Sequence, residues 1–115
     1  MSATQLSPTI SVIIPTLNEA GELPETLSRV QAVAEVTEII VVDAGSSDST
    51  CEIAREQNCS VLECEPNRGK QLRLGAEKAG GDIILLLHAD TWLPEDAGRA
   101  VIECLSQPLV VGGGF

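Results

Sequence analysis

Short runs of β-branched and aliphatic residues recur along the chain, each followed by a segment whose apolar residues keep a helical period. That alternation leaves few folds open. Strands read as continuous apolar runs when helices cover both faces of a parallel sheet, and the intervening segments supply the crossovers. Ile10, Val12, Ile13 and Ile14 form the first run, which Pro15 is expected to stop. Ile39 to Val42 forms the second, Ser60 to Cys64 a shorter, more polar third suited to a sheet edge, and Ile83 to Leu87 a fourth that is wholly apolar. Leu109 to Val111 begins a fifth, ending in Gly112, Gly113, Gly114 and Phe115. Between them Leu23, Leu27, Val30 and Ala34 mark one helical stripe, with Pro24 suited to its first turn. Ser49 and Glu52 have capping-box spacing for a helix to about Gln57. Leu72, Ala76 and Ala79 mark a third helix closed by Gly80 and Gly81, and Ala97, Ala100, Val101, Cys104 and Leu105 a fourth after Pro94. The expected fold is α/β, a three-layer α/β/α arrangement with a mainly parallel, Rossmann-like sheet.

A chain of 115 residues supports one core, so residues 1–8 read as an N-terminal tail and 9–115 as a single domain. The longest apolar run is far too short to span a bilayer, and Met1 to Thr9 lacks the basic and apolar regions of a signal peptide. A cytoplasmic location is the expectation. Seventeen acidic against seven basic residues give a net charge of -10, which disfavours nonspecific binding to nucleic acid or acidic membranes. The charge is uneven. Residues 66–80 hold Arg68, Lys70, Arg73 and Lys78 against Glu77 alone, a local +3 beside -13 elsewhere. An anionic ligand should approach there or bring its own metal. Cys51, Cys59, Cys64 and Cys104 form no C-x-x-C pair and read as small hydrophobes in a reducing compartment.

Right-handed crossovers bring every strand's carboxyl end to one edge, where ligands bind open parallel sheets. Four loops should meet there: Pro15 to Gly21, Asp43 to Ser49, Glu65 to Gln71, and His88 to Pro94. Asp43 follows an apolar strand directly and could accept from a base N–H or a ribose hydroxyl, with Gly45 allowing close backbone approach. Asp43 and Asp48 could equally cap the turn and helix, and for Asp48 capping is the better reading. Arg68-Gly69-Lys70-Gln71 opens a helix after Pro66-Asn67, so exposed amides and cations could hold an anion; a solvated basic face is the plain alternative. Asp90 stands at the end of the fourth strand, where one carboxylate with diphosphate oxygens and waters could hold Mg²⁺ or Mn²⁺. His88 could be a structural residue, and Asp90 a helix cap. No P-loop spacing and no G-x-G-x-x-G are present.

Taken together, Val12-Ile13-Ile14-Pro15-Thr16-Leu17-Asn18-Glu19, Ile39 to Thr50 with its Asp43-Ala44-Gly45-Ser46-Ser47-Asp48, Gly69-Lys70-Gln71 and Leu87-His88-Ala89-Asp90-Thr91 resemble family 2 glycosyltransferases over residues 9–115. The resemblance implies a GT-A fold whose first half binds a nucleotide-diphosphate sugar and a divalent metal. It places Pro15, Thr16, Leu17, Asn18 and Glu19 along the nucleoside, Asp43 and Gly45 at the base, and Gly69, Lys70 and Gln71 near the diphosphate or ribose. His88-Ala89-Asp90 matches the family's D-x-D, with Asp90 at the metal and His88 replacing the acid that usually faces the ribose, as in a bacterial subgroup with H-A-D-T. Arg73 stands where that subgroup would have asparagine. Such domains run to about twice this length, so the acceptor half and the catalytic base are expected to be missing, and no catalytic residue is assigned. The expected partners are the sugar donor and an acceptor of unknown identity. Two alternatives remain: a noncatalytic nucleotide-binding or oligomerisation module whose open edge a second copy covers, and a phosphoacceptor receiver domain.

Overall fold

A computed structural model describes residues 9–89. In chain order the elements are β1 (Ile10–Thr16), α1 (Leu23–Gln31), β2 (Val36–Asp43), α2 (Thr50–Glu56), β3 (Ser60–Glu63), α3 (Arg68–Lys78) and β4 (Ile83–Leu86). The strands form one parallel sheet in the order β3-β2-β1-β4. The fifth strand, the helix after Pro94 and the residues around Asp90 expected from the sequence lie outside the described residues, as does the tail.

Side-chain alternation along the strands divides the core in two. Val12, Ile14, Val41, Ile83 and Leu85 face Leu23, Leu27 and Val30 of α1 and Ala54 of α2. Ile13, Ile40 and Val42 face the other way, where Leu72 and Leu74 of α3 pack with Ile84 and Leu86. Two helices therefore cover one face and α3 the other, which is the expected three-layer α/β/α order. Their burial is unequal: Ile83, Leu85 and Leu87 are buried, whereas Ile84 and Leu86 are only partly so.

Several local expectations are corrected. Pro15 does not stop β1, because it pairs with Val42 and the strand runs on to Thr16. Along a parallel strand, successive residues turn their amide groups to opposite neighbours. Ile13 O accepts from Leu87 N on the β4 side, so Pro15 turns its missing donor to that same side, where the β1–β4 pairing has already ended at Leu86. The absent N–H costs no ladder bond. Ala34 lies beyond α1 and is exposed, and Val33 takes the buried place. Ser49 makes no side-chain cap, so the capping box does not form. Asp48 Oδ1 accepts from Thr50 N at 3.0 Å instead, satisfying a first-turn amide. Ala79 is the C-cap of α3 in extended conformation rather than part of the helix.

Gly75 lets α3 lie against the sheet. A Cβ there would stand 2.4 Å from Ile13 Cγ2 and 3.2 Å from Val42 Cγ2. Gly75→Ala should lower the unfolding free energy by about 1–3 kcal/mol through overpacking. Gly80→Ala, whose Cβ meets nothing within 4 Å, should change it by less than about 0.5 kcal/mol. Urea titrations of the two variants check the contrast.

Candidate functional site

The carboxyl ends of β1 and β2 meet at the pair Thr16↔Asp43, and the chain then turns away in two loops. Asp43 holds those loops together. Its side chain is 1% exposed. Oδ1 accepts from Thr16 Oγ1 at 2.7 Å and from the Ser46 hydroxyl, while Oδ2 accepts from Gly45 N at 3.0 Å and Ser46 N at 2.7 Å. Gly45 sits at φ +95, a conformation that side chains rarely adopt, which brings its amide onto the carboxylate. Burial alone would raise the Asp43 pKa, but hydrogen bonds from Ser46 and Thr16, with the Cys51 thiol, outweigh it and hold the carboxyl below its ordinary value.

The stitching extends outward from Asp43. Asn18 N donates to Ser46 Oγ at 2.7 Å, and Ser47 N donates to Asn18 Oδ1 at 2.8 Å. Asn18 adopts φ 56, which asparagine tolerates. Glu19 N donates to Thr50 Oγ1 at 2.9 Å, and Ala20 N to Asp48 Oδ2 at 3.2 Å. Asp48 therefore caps α2 and also ties the first loop to the second; the hydrogen bonds from Thr50 lead the causes that hold its carboxyl below the ordinary range. Leu17 at the crest of this double loop is 45% exposed.

Gln71 lies beneath the loops, 5% exposed. Its Nε2 donates to Thr16 O at 3.2 Å and Val42 O at 2.9 Å, bridging β1 and β2 from α3. Because both partners are acceptors, the amide orientation is unambiguous. Asn67 caps the same helix, its Oδ1 accepting from Lys70 N at 3.0 Å, and Lys70 Nζ stands 2.8 Å from Glu65 Oε2. The Lys70 hydrogen bond and charge hold the Glu65 carboxyl below its ordinary range. Gly69 has room, with Asn67 Oδ1 at 3.4 Å from a built Cβ.

On the other side of β1, the loop after β4 is held from both helical layers. Arg68 Nη1 lies 3.0 Å from His88 Nδ1. Ala89 is buried, and its carbonyl accepts from the hydroxyl of Thr26 in α1. Strands β2 and β4 both neighbour β1, so the loops carrying Asp43 and His88 flank it at about 10 Å, two strand spacings apart. Asp90 itself lies outside the described residues. Among the described residues no three His, Cys, Asp or Glu side chains converge as a ready-made metal cluster.

The expected residues thus fall into two groups. Thr16, Asn18, Glu19, Asp43, Gly45 and Gln71 are joined around the ends of β1 and β2; His88 and Ala89 join Arg68 and Thr26 at the end of β4. Thr26 was not singled out from the sequence, although it is a polar residue within the apolar stripe of α1. Ser46 was likewise missed, because neither spacing nor charge marks a hydroxyl that serves two loops. Asp43 is less open to a ligand than its place at a strand end suggested, since four donors occupy its two oxygens. Cys51, Cys59 and Cys64 are free. Burial pushes the Cys51 thiol, with help from Asp43, and the Cys59 thiol up to about 11, as suits inert small hydrophobes. A cavity of about 390 Å³ lined by Gln31, Glu38, Gln57 and Asn58 opens at the opposite edge of the sheet and touches none of these residues.

A parallel α/β domain whose polar loops gather over the strand ends belongs to the open-sheet class, in which ligands bind outside the carboxyl ends of the strands. Within that class the chain belongs to glycosyl transferase family 2, whose sequence pattern matches residues 11–115. Family membership displaces the phosphoacceptor alternative. The chain is 32% identical over 118 aligned positions to the undecaprenyl-phosphate 4-deoxy-4-formamido-L-arabinose transferase of Pseudomonas paraeruginosa, covering 92% of this chain and 35% of that protein. It is 36% identical over 101 to the poly-beta-1,6-N-acetyl-D-glucosamine synthase of Staphylococcus aureus, covering 82% and 24%. A mannosyltransferase from Pyrobaculum calidifontis, solved with GDP-Man and Mn²⁺, superposes with a TM-score of 0.77 at 25% identity, covering 90% of this chain and 34% of that one. TarS residues 1–349 from S. aureus, solved with UDP, superposes at 0.71 and 26%, covering 83% and 31%. The chain spans about a quarter to a third of these relatives' lengths.

Asp43 also governs an acid limb of stability. Its lowered folded pKa means that its contribution is complete above the unfolded carboxyl value and disappears as pH falls through the folded one. Asp43→Asn should cost about 1–3 kcal/mol at neutral pH, because a carboxamide nitrogen cannot accept from the loop donors. It should also flatten the loss of stability on acidification; urea unfolding from pH 7 to pH 3 reads both effects.

Proposed function

We propose that the chain is the donor-binding part of a family 2 glycosyltransferase, taking a nucleotide-diphosphate sugar together with Mg²⁺ or Mn²⁺ for transfer to an acceptor hydroxyl. The observation that carries this reading is the pair of interlocked loops over β1 and β2, flanked by the Arg68–His88 contact at the end of β4. The solved relatives with GDP-Man and Mn²⁺ and with UDP support both the donor and the cation. A cytoplasmic location accords with this donor class. Among the described residues no helix is long and apolar enough to cross a membrane.

In this reading Pro15 to Glu19 form the nucleoside wall, with Leu17 offering the apolar surface on its crest. Asp43 and Gly45 shape the wall from behind, and direct contact of Asp43 with a base would require it to release one of its loop donors. Gly69, Lys70 and Gln71 present the start of α3 to the diphosphate or ribose, with His88 and Ala89 on the opposite side. Asp90 holds the cation, and the remaining ligands are diphosphate oxygens and water, a donor set suited to a hard divalent ion that needs no prebuilt protein cage. When bound, the cation neutralises charge on the departing diphosphate. This matters on a chain of net charge -10. The chain's own contribution is to bind and orient the donor so that its anomeric carbon faces the acceptor. No residue of this chain is assigned the role of base.

Calorimetry with UDP- and GDP-sugars, with and without Mn²⁺, tests the proposal. Mn²⁺ should strengthen binding, and Asp90→Ala should weaken metal-assisted binding roughly 10-fold or more. Tight binding indifferent to both changes would remove Asp90 from the site, and no binding to any nucleotide-diphosphate sugar would overturn the reading.

A further inference from the structure

The geometry points to His88 as a specificity-determining hydrogen-bond donor: Arg68 fixes its neutral ring as the Nε2–H tautomer, and that N–H serves an acceptor oxygen of the ligand's diphosphate. The inference rests on the donor-binding reading of the site and goes beyond it in assigning a polarity and a phosphate contact to position 88.

A guanidinium has five donors and no acceptor. With Arg68 Nη1 at 3.0 Å from His88 Nδ1, the lone pair of the contact must belong to Nδ1, so the single ring proton of the neutral imidazole sits on Nε2. Arg68 makes no ion pair with a carboxylate among the described residues. Its pull on Nδ1 polarises the ring and strengthens Nε2–H as a donor. The backbone that carries the ring is fixed on both sides: Leu87 N donates to Ile13 O at 2.9 Å, and the Ala89 carbonyl accepts from the fully buried Thr26. The imidazole is partly exposed on this anchored segment, with Nδ1 engaged by Arg68.

The polarity is opposite to that of an acid. A carboxylate at this position accepts from ligand hydroxyls, whereas Nε2–H needs a ligand oxygen with a free lone pair. A phosphate oxygen fits the surroundings, because Arg68 and Lys70 open α3 within the one segment of the chain that carries excess positive charge.

The chain has a single histidine, so its ring nitrogens can be observed without ambiguity. In the full chain at pH 8, long-range proton–nitrogen correlation should show a protonated Nε2 and a bare Nδ1. Arg68→Ala should let the other tautomer appear. UDP without metal, and pyrophosphate alone, should perturb Nε2, while uridine should not. His88→Gln, which keeps an N–H donor, should retain metal-free UDP affinity within about threefold, and His88→Leu should lose roughly 10-fold. A proton found on Nδ1 in the free chain, a response of Nε2 to uridine but not pyrophosphate, or equal UDP affinity for the Gln and Leu variants would overturn this inference while leaving donor binding intact. Failure of the wild-type chain to bind any nucleoside diphosphate would overturn the donor-binding reading and this inference with it.

Discussion

One buried carboxylate governs the shape of the site. Taking Asp43 out of water carries a desolvation cost, which four hydrogen bonds from Thr16, Gly45 and Ser46 offset. Those donors come from the end of β1 and from the turn after β2, so the same bonds that satisfy the charge fix where the chain leaves the sheet. Ser46 then carries the constraint across the gap: its hydroxyl donates to Asp43 and accepts from Asn18 N, while Asn18 returns a bond from Ser47 N. The circuit is closed. A loop that would otherwise adopt many conformations is held before any ligand arrives, which lowers the ordering cost of binding.

Much of the architecture was legible because its causes are local and periodic. Alternating apolar runs and helical stripes located all four described strands and three helices, and their two-faced packing followed from strand alternation. The errors arose where an outcome depended on a distant partner. Pro15 continues a strand because β4 pairing has already ended beside it, which no inspection of residues around 15 could reveal. Ser49 makes no side-chain cap, while Asp48 serves both the first turn of α2 and Ala20 on another loop. Asp43 at a strand end was recognisable as important, but its burial behind the loop required knowing that Ser46 folds back over it. In each case the residue itself was legible and topology decided its contacts.

Charge organisation shows a similar separation of roles. Lys70 lies beside Glu65, and the two exposed partners are screened and worth little to stability. Arg68 instead meets a neutral ring. The two cations at the start of α3 therefore differ: among the described residues Lys70 is partly compensated by an acid, while Arg68 has no carboxylate partner. In a chain that is acidic overall, a guanidinium at this edge has a large influence on the local potential.

Both helical layers reach the site by the same device. Thr26 and Gln71 are each the fourth residue of their helices, both are buried, and both are polar members of faces turned toward the core. Gln71 donates to carbonyls at the ends of β1 and β2, and Thr26 to the carbonyl of Ala89 just beyond β4. The reason is topological. In parallel βα units a helix begins near the carboxyl end of the strand before it, so its first turn overlies the backbone carbonyls at the strand ends. A carbonyl has two lone pairs, and Thr16 O, which already accepts from Ala44 N, takes its second bond from Gln71. A polar residue in the first turn of an otherwise apolar helical face therefore marks the site edge of the sheet, and it does so from opposite sides in α1 and α3.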